Sequence, residues 1–276
     1  MANTIFPYPG GKSKYADWIV EQMPEHETYI EAFGGGAGVL INKPRSAVEV
    51  YNDINKDVVT FFRVLRNRGG ELSDFVSKMP YSRSEYKRIS EAWYADGKRP
   101  EDDLKRAAWF YYLQHTSFSG KLERSGFSTD ATKKGDRARA YSNNTGSLET
   151  FTDRFDEVTI ECLDYRRLVD RYDSPKTLFY FDPPYLEVGD DYYNHKHDFD
   201  HKAFVELLRE TQADWIVSYN ELPDGLDEYP VATRETRYSM SSQKHTYKTE
   251  RLVMNYNPKE KTSAQFAAQT SIEYYD

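Results

Sequence analysis

The stretch Thr177-Leu-Phe-Tyr-Phe-Asp-Pro-Pro-Tyr185 contains the clearest structural signal of this 276-residue chain. Its short apolar run, residues 177–181, predicts a β-strand. The two consecutive prolines end the strand, because proline has no N–H for a sheet hydrogen bond. The sequence therefore places Asp182 at the carboxyl end of a strand, which is where ligands bind in open α/β sheets.

The four residues Asp182, Pro183, Pro184 and Tyr185 suit the binding of a planar ring that carries an –NH2 group. The Asp182 carboxylate and the carbonyl between the prolines can accept both N–H bonds, and the Tyr185 ring can stack on the base. Proline fixes φ and holds these carbonyls rigidly. A strand-ending turn without a binding role explains the same residues and stays open at this point.

Strand and helix signals alternate along the rest of the chain. Further strands are predicted at residues 28–33, 47–51, 158–162 and 215–219. Helices are predicted from Val39, after Asp53 with an end at Gly69, and around residues 204–208. This alternation predicts an α/β fold with a mostly parallel sheet. A late strand at residues 251–256 is expected to pair antiparallel with one near 231–238.

Residues 70–155 interrupt the alternation with charged, aromatic, helix-like sequence that ends in a tract rich in Ser, Gly, Lys and Arg. We therefore expect residues 1–69 and 156–276 to form one catalytic domain, into which residues 70–155 are inserted.

Composition excludes several classes of protein. The single cysteine, Cys162, rules out a disulfide framework, and we expect it to be a buried small hydrophobe. No apolar run is long enough to cross a bilayer, and the start of the chain does not resemble a secretory signal. We expect a cytoplasmic protein of a prokaryote, or of a virus-infected host cell, without membrane contact.

A tract of histidines and aspartates could bind a metal, but a solvated loop explains it better, so no metal is expected. Its members are His195, His197, His201, Asp190, Asp191, Asp198 and Asp200.

The net charge of −8 argues weakly against a nucleic-acid partner, but the charge is unevenly distributed. Residues 115–144 contain six basic and three acidic side chains, and residues 231–261 contain seven basic and three acidic ones. Both stretches could follow a phosphate backbone, although solvated basic loops are an equally good explanation.

A glycine cluster, residues 33–38, follows the first predicted strand. Glycines there let a ligand approach the backbone closely. The spacing typical of dinucleotide-binding folds is absent, because Val39 stands where the third glycine would be. Asp53 follows the next strand and suits a ribose diol, although a helix N-cap would also explain it.

Two more clusters carry candidate ligand contacts. Residues 9–13 contain a glycine turn but lack the spacing of a phosphate-binding P-loop, so Lys12 is interpreted as free to reach an anionic group. Asp164 follows the predicted strand that ends near Cys162, and its carboxylate could accept a hydrogen bond from an adenine amine.

In their order along the chain, these clusters resemble the Dam-like α-group of DNA adenine-N6 methyltransferases. The resemblance covers most of residues 5–68 and 158–256, and also includes Thr116–Gly120 and Glu250–Tyr256. It implies a Rossmann-like sheet of the class I S-adenosylmethionine-dependent methyltransferase type, with residues 70–155 as a mainly helical target-recognition domain. Ala37 and Ala32 depart from the family's glycine motif, and the sequence after Gly120 departs from its usual continuation.

The resemblance also implies roles for individual residues. Asp182 to Tyr185 would be catalytic, with Asp182 also near the cofactor. The other residues that would contact S-adenosylmethionine are Tyr8, Gly10, Gly11, Lys12, Phe33, Gly34, Gly35, Gly36, Asp53, Asp164 and Tyr165. Candidate DNA contacts are Ser117, Ser119, Lys121, Arg124, Lys133, Lys134, Arg137, Arg139 and Lys244.

The activity implied is methyl transfer to N6 of an adenine flipped out of double-stranded DNA, by a monomer or by a dimer on DNA. Three alternatives remain open on sequence. They are a methylase of cytosine N4 or of RNA or protein amines, a catalytically silent DNA-binding relative, and a regulator that binds ATP or NAD at the glycine cluster.

Overall fold

A computed structural model describes residues 4–117, 126–129, 136–185, 199–239 and 245–258. The strands in these ranges are β1 (Thr28–Glu31), β2 (Val48–Asn52), β3 (Val158–Glu161), β4 (Thr177–Phe181), β5 (Asp214–Tyr219), β6 (Val231–Ser239) and β7 (His245–Met254). The helices are α1 (Ala16–Val20), α2 (Lys56–Ser77), α3 (Arg83–Ser90), α4 (Asp103–Thr116), α5 (Arg137–Ser147), α6 (Thr152–Phe155), α7 (Tyr165–Tyr172) and α8 (His201–Glu210).

The described strands form one sheet in the order β3-β2-β1-β4-β5-β7-β6. Strands β1 to β5 run parallel, and β7 is antiparallel to both β5 and β6. The predicted α/β alternation and the late antiparallel pair are therefore confirmed. Because β1 and β4 are neighbours whose chains continue toward opposite edges, a crevice is expected between their carboxyl ends.

Both faces of the sheet are covered, so its central strands are apolar throughout. In β4, Leu178 and Tyr180 belong to the core on the α2 face, whereas Phe179 and Phe181 belong to the core beside α7 and α8. The five side chains of this strand are all buried, which explains the uninterrupted apolar run in the sequence.

The predicted helix at Val39 is wrong, since residues 35–42 form consecutive turns. These turns contain Ala37, with a left-handed φ of 54°, and the Leu40 N–H donates to the Glu31 carboxylate. Single helix-like bonds from the Ile41 and Lys43 N–H groups do not extend into a helix.

The predicted helix end at Gly69 lies one residue from a kink at Arg68, whose φ of −144° and ψ of 35° are non-helical, and a second helical segment continues from there to Ser77. Gly69 also lets α6 approach closely. A Cβ atom at this position would lie 2.0 Å from the Thr152 Oγ1 atom.

The segment 70–155 packs on the first half of α2 rather than standing apart from it. The Tyr111 ring of α4 stacks on Phe61 of α2, with centroids 5.8 Å apart. His115, near the end of α4, lies 3.3 Å through Nε2 from the Ile5 carbonyl oxygen. The helices in the described part of the chain are all too short or too polar to span a membrane.

Candidate functional site

The buried Lys12 forms an ion pair with the partly exposed Asp182 at the carboxyl end of β4. The Lys12 Nζ atom lies 2.7 Å from Asp182 Oδ1 and donates to the Gly10 carbonyl at 3.1 Å. Burial lowers the pKa of Lys12, but the neighbouring carboxylates outweigh this effect and raise that pKa above its usual range. Burial also raises the pKa of Asp182, and Lys12 opposes that rise. The anionic group that Lys12 reaches is thus part of the protein itself.

Glu250 completes this cluster from β7. Its Oε1 atom accepts a hydrogen bond from the Tyr185 hydroxyl at 2.5 Å and lies 3.6 Å from Lys12 Nζ. The ammonium also lies over the Tyr185 ring, 4.7 Å from its centroid. Burial raises the pKa of Glu250. Because β7 is antiparallel and Arg251 pairs with Tyr219, Glu250 reaches the carboxyl edge of the parallel strands.

The glycine cluster forms a turn pressed between two tyrosines. A Cβ atom at Gly34 would lie 2.2 Å from the Tyr51 ring. Gly35 has a φ of +46°, and its Cβ would lie 2.7 Å from the Tyr8 ring. The Tyr51 hydroxyl donates to the Gly35 carbonyl at 2.7 Å. These contacts fix the turn at the end of β1.

Asp53 is held beside the same turn. Its two carboxylate oxygens accept from the Gly35 N–H at 2.8 Å and from the Asn55 N–H at 2.7 Å. The N-cap of α2 is Asn55, which accepts from the Asp57 N–H, so the N-cap interpretation of Asp53 is wrong. The structure thus orients Asp53 relative to the glycine turn rather than to the helix.

Asn52 ties together the chain segments that follow three strands. Its amide nitrogen donates to the carbonyls of Ala32 and Leu163, and its amide oxygen accepts from the Leu163 N–H at 2.8 Å. Ala32 precedes Phe33 and Leu163 precedes Asp164, so one buried side chain sets the spacing between two candidate contacts. Asp164 itself caps α7 through the Arg166 N–H.

Aromatic rings line the neighbouring part of this edge. Tyr165 packs against Phe33 at a centroid distance of 5.7 Å and against Phe199 and Phe204 at 5.4 Å each. The buried Tyr165 hydroxyl has no hydrogen-bond partner among the described residues. Because most buried polar atoms are hydrogen-bonded, this hydroxyl is a candidate contact for a ligand.

A buried carboxylate also lies at the end of β1. Glu31 Oε2 accepts from the Leu40 N–H at 2.6 Å and from the Tyr29 hydroxyl at 3.0 Å. Burial raises the pKa of Glu31 to about 7, and the hydrogen bonds only partly oppose this. Glu31 thereby holds the turn residues that follow the glycines.

The remaining candidate contacts take different positions. Of the catalytic tetrapeptide, Pro183 is buried and Pro184 is partly exposed. Gly11 closes a turn through its N–H to the Tyr8 carbonyl at 3.0 Å. Gly36 lies against Tyr8, toward which its Cβ would point at 3.3 Å.

The candidate DNA contacts are only partly described. Arg137 and Arg139 are exposed on α5, and Arg139 pairs with Asp136 at 3.5 Å. Ser117 is 5% exposed and forms an antiparallel bridge with Phe127. Ser119, Lys121, Arg124, Lys133, Lys134 and Lys244 lie outside the described residues.

Most of the histidine-aspartate tract, including His195 and His197, also lies outside the described residues. Within them, Asp200 caps α8, and His201 lies 3.0 Å through Nδ1 from the Tyr219 hydroxyl.

The expectation that Cys162 is buried is wrong, since this thiol is exposed. The strand that precedes it, β3, is the outermost strand on its side of the described sheet, so no further strand covers that edge.

Two residues of the site received no individual role from the sequence, Glu250 and Asn52. For Glu250 a signal existed, because residues i, i+2 and i+4 of a strand share one face. Leu252 and Met254 are apolar and belong to the core, so a glutamate two residues earlier faces inward as well. Asn52 gave no comparable signal, because its partners follow other strands.

Comparison with known proteins shows extended similarity to one family. A sequence model of the family described as D12 class N6 adenine-specific DNA methyltransferase matches residues 8–254. The type II methyltransferase M.MjaIII of Methanocaldococcus jannaschii is 26% identical over 206 residues, which cover 66% of this chain and 68% of that protein. The DNA N-6-adenine-methyltransferase of Escherichia phage P1 is 27% identical over 214 residues, or 74% of this chain but only 28% of the phage protein. The type II methyltransferase M.CviBI of Paramecium bursaria Chlorella virus NC1A is 24% identical over 194 residues, covering 68% of this chain and 71% of that protein.

Proposed function

Because the chain belongs to the D12 class N6 adenine-specific DNA methyltransferase family, we propose that it transfers the methyl group of S-adenosylmethionine to N6 of an adenine turned out of duplex DNA. Membership of this family implies the class I methyltransferase fold, and the described strands form a seven-stranded α/β sheet that agrees with it. The observation on which the proposal rests is the Asp182 carboxylate at the carboxyl end of β4, 18% exposed and paired with Lys12, whose ammonium lies over the Tyr185 ring.

The residues around the glycine turn fit the proposed methyl donor. S-adenosylmethionine supplies an electrophilic methyl group on a positively charged sulfur. The fixed Asp53 carboxylate suits the two ribose hydroxyls, each of which donates one hydrogen bond. Phe33 and Tyr165 offer an apolar surface for a purine, and the Tyr165 hydroxyl, which has no hydrogen-bond partner among the described residues, offers it a polar partner. Asp164, at the start of α7, remains a candidate for the adenine amine.

Asp182 would act on the target amine. The lone pair of adenine N6 is delocalised into the ring, so the amine is a weak nucleophile. Hydrogen bonds from its N–H groups to Asp182 and to the Pro183 carbonyl favour a pyramidal nitrogen with a localised lone pair. The carboxylate also places negative charge where the nitrogen becomes positive. Holding the amine in line with the methyl group would supply much of the rate.

DNA would be held through its phosphates. Arg137 and Arg139 project from an exposed helix of the segment 70–155, which we propose as the target-recognition domain. The target base must leave the duplex, which costs a few kcal/mol, and stacking on Tyr185 offsets part of that cost. Affinity for DNA is therefore expected to fall steeply as salt rises.

The test is a nucleoside analysis after incubation of the protein with unmethylated duplex DNA and S-adenosylmethionine. N6-methyldeoxyadenosine is the expected product. Asp182→Asn keeps the shape of the side chain but removes its charge, and should lower turnover at least ~100-fold while DNA binding persists. Asp170→Asn, on the exposed face of α7, is the control and should match the wild type. A product methylated at cytosine N4, or normal turnover by the Asp182 variant, would contradict the proposal.

A further inference from the structure

The Lys12 ammonium contacts two of the three groups that the proposed function assigns to the target base, the Asp182 carboxylate and the Tyr185 ring. It lies 2.7 Å from Asp182 Oδ1, as an amine donor would, and 4.7 Å from the centre of the Tyr185 ring. A cation over an aromatic face at this distance is attracted to it. A base that approaches this carboxylate oxygen and this face of the ring therefore competes with the ammonium for both.

Glu250 offers the ammonium a second acceptor. Its Oε1 atom is 3.6 Å from Lys12 Nζ, so a displacement of about 1 Å would bring the two atoms to hydrogen-bond distance. The side chains of Lys12 and Glu250 are 6% and 11% exposed, so water cannot easily replace either partner.

We propose that Glu250 is a positioning residue for methyl transfer, which takes over the Lys12 ammonium from Asp182 as the target amine enters. This inference rests on the proposed function and adds a step to it. No covalent bond is made or broken in this step, and no proton is transferred. The ammonium exchanges one carboxylate partner for another.

The charges explain why a second carboxylate is needed. If Glu250 were absent, a Lys12 ammonium that moved away from Asp182 would be a buried charge without a partner, which is strongly unfavourable. With Glu250 present, Lys12 stays paired and Asp182 keeps its negative charge for the amine. Two other ionisable groups of the described residues that lie nearby already have partners. Glu31 accepts from the Leu40 N–H, and the Tyr180 hydroxyl is bonded to Ser218 at 2.7 Å.

The first test is Glu250→Gln, which still offers an oxygen to the Tyr185 hydroxyl but carries no charge. We expect kcat/KM for duplex DNA to fall roughly 10- to 100-fold, as for loss of a charged hydrogen bond, with the Kd for S-adenosylmethionine unchanged within about twofold. Glu49→Gln is the control, because Glu49 is also a buried acid paired with a lysine, Lys43, at 2.7 Å, although it pairs with Arg154 as well. This control should methylate DNA normally.

The decisive test combines Glu250→Gln with Lys12→Met in a double-mutant cycle. If Glu250 acts by receiving the ammonium, its substitution should change kcat/KM by no more than about twofold once Lys12 is absent. Equal effects in both backgrounds would overturn the inference. Should Glu250→Gln fail to fold, Glu250→Asp, which draws the charge back by one methylene, takes its place in the same cycle.

A separate variant distinguishes this role from simple support of Tyr185. Tyr185→Phe removes the hydroxyl that contacts Glu250 but keeps the ring and all charges. It should lower kcat/KM less than Glu250→Gln does, and an equal loss would overturn the inference. Activity of the wild-type protein distinguishes failure of the proposed function from failure of the role proposed for Glu250. If it makes no N6-methyldeoxyadenosine, the proposed function fails, whereas an active wild type with an equally active Glu250→Gln variant refutes only the role of Glu250.

Discussion

Single buried acids set much of the chemistry of this protein. Glu31, Asp182 and Glu250 are placed where burial raises the pKa of each carboxyl group. Such placement costs stability, because a carboxylate loses its hydration in the interior. At Asp182 and Glu250 the cost is offset by Lys12, whereas Glu31 depends on hydrogen bonds from Leu40 and Tyr29.

Glu31→Gln tests this cost through pH. The pKa of Glu31 is about 7 in the folded protein, whereas its ordinary value of 4.5 applies to the unfolded chain. Between pH 4.5 and 7 the folded state therefore binds more protons than the unfolded state. The free energy of unfolding of the wild type should therefore fall relative to that of the variant by about 3 kcal/mol from pH 4.5 to above pH 7. Urea titrations at several pH values measure it. A constant difference between wild type and Glu31→Gln would contradict the prediction.

At the level of structural elements, the turn after β1 depends on glycine. Gly34→Ala would place a methyl group 2.2 Å from the Tyr51 ring, which is fully buried and bonded to Gly35. We expect a loss of about 1–3 kcal/mol in stability and a raised Kd for S-adenosylmethionine. Gly146→Ala in α5 is the control, since no atom lies within 4 Å of the added Cβ. That change should be neutral or slightly stabilising, because alanine favours helix. Urea unfolding and calorimetric titration give both quantities, and normal cofactor binding by Gly34→Ala would speak against the proposed contact.

The ends of β1, β2 and β3 are coupled through Asn52. Asn52→Ala would leave the Ala32 and Leu163 groups unpaired at about 1–3 kcal/mol for each buried group. The Kd for S-adenosylmethionine should rise as well, because the segments carrying Phe33 and Asp164 lose their common anchor. Asn255→Ala is a matched control, since Asn255 bonds Trp215 and Ala213 in the same way at the opposite end of β5. It should destabilise the fold but leave binding unchanged, and equal binding by both variants would contradict the role of Asn52.

Across the whole molecule, His115 links α4 to the N-terminal segment through the Ile5 carbonyl. Burial lowers the pKa of His115 to about 4, so the folded state keeps it neutral while the unfolded chain takes up a proton below pH 6.5. Its contribution to stability is lost as pH falls from 6.5 to 4, by up to about 3 kcal/mol. His115→Phe should be free of this loss.

In the wild type, the titrations of Glu31 and His115 change the free energy of unfolding in opposite directions as pH falls. Relative to wild type, the unfolding free energy of His115→Phe should rise on acidification, while that of Glu31→Gln should fall. Urea unfolding between pH 4 and 7.5 measures both. Parallel profiles for the two variants would show that these groups do not control the pH dependence of stability.

Local patterns predicted most of the sheet because burial on both faces leaves a direct trace in the sequence. The apolar run before Asp182 and the β-rich run before Phe33 became β4 and β1. Local patterns failed where tertiary contacts override them. Gly69 marked the kink at Arg68 correctly but not the second helical segment that follows it. Val39 suggested a helix but lies in a series of turns, in which the Leu40 N–H donates to Glu31. The extent of a target-recognition domain at residues 70–155 remains a proposal, since α4 shares its core with α2.

By itself, the sequence determined that Asp182, Asp53 and Asp164 each follow a strand, because strand ends and turns are marked by nearby residues. Only the tertiary structure decided that Lys12 contacts Asp182 across 170 positions and that Glu250 faces both. Those contacts depend on the order of the strands and on the register of the antiparallel strand β7. Order and register are fixed by the packing of the whole chain, so no short stretch of residues contains them.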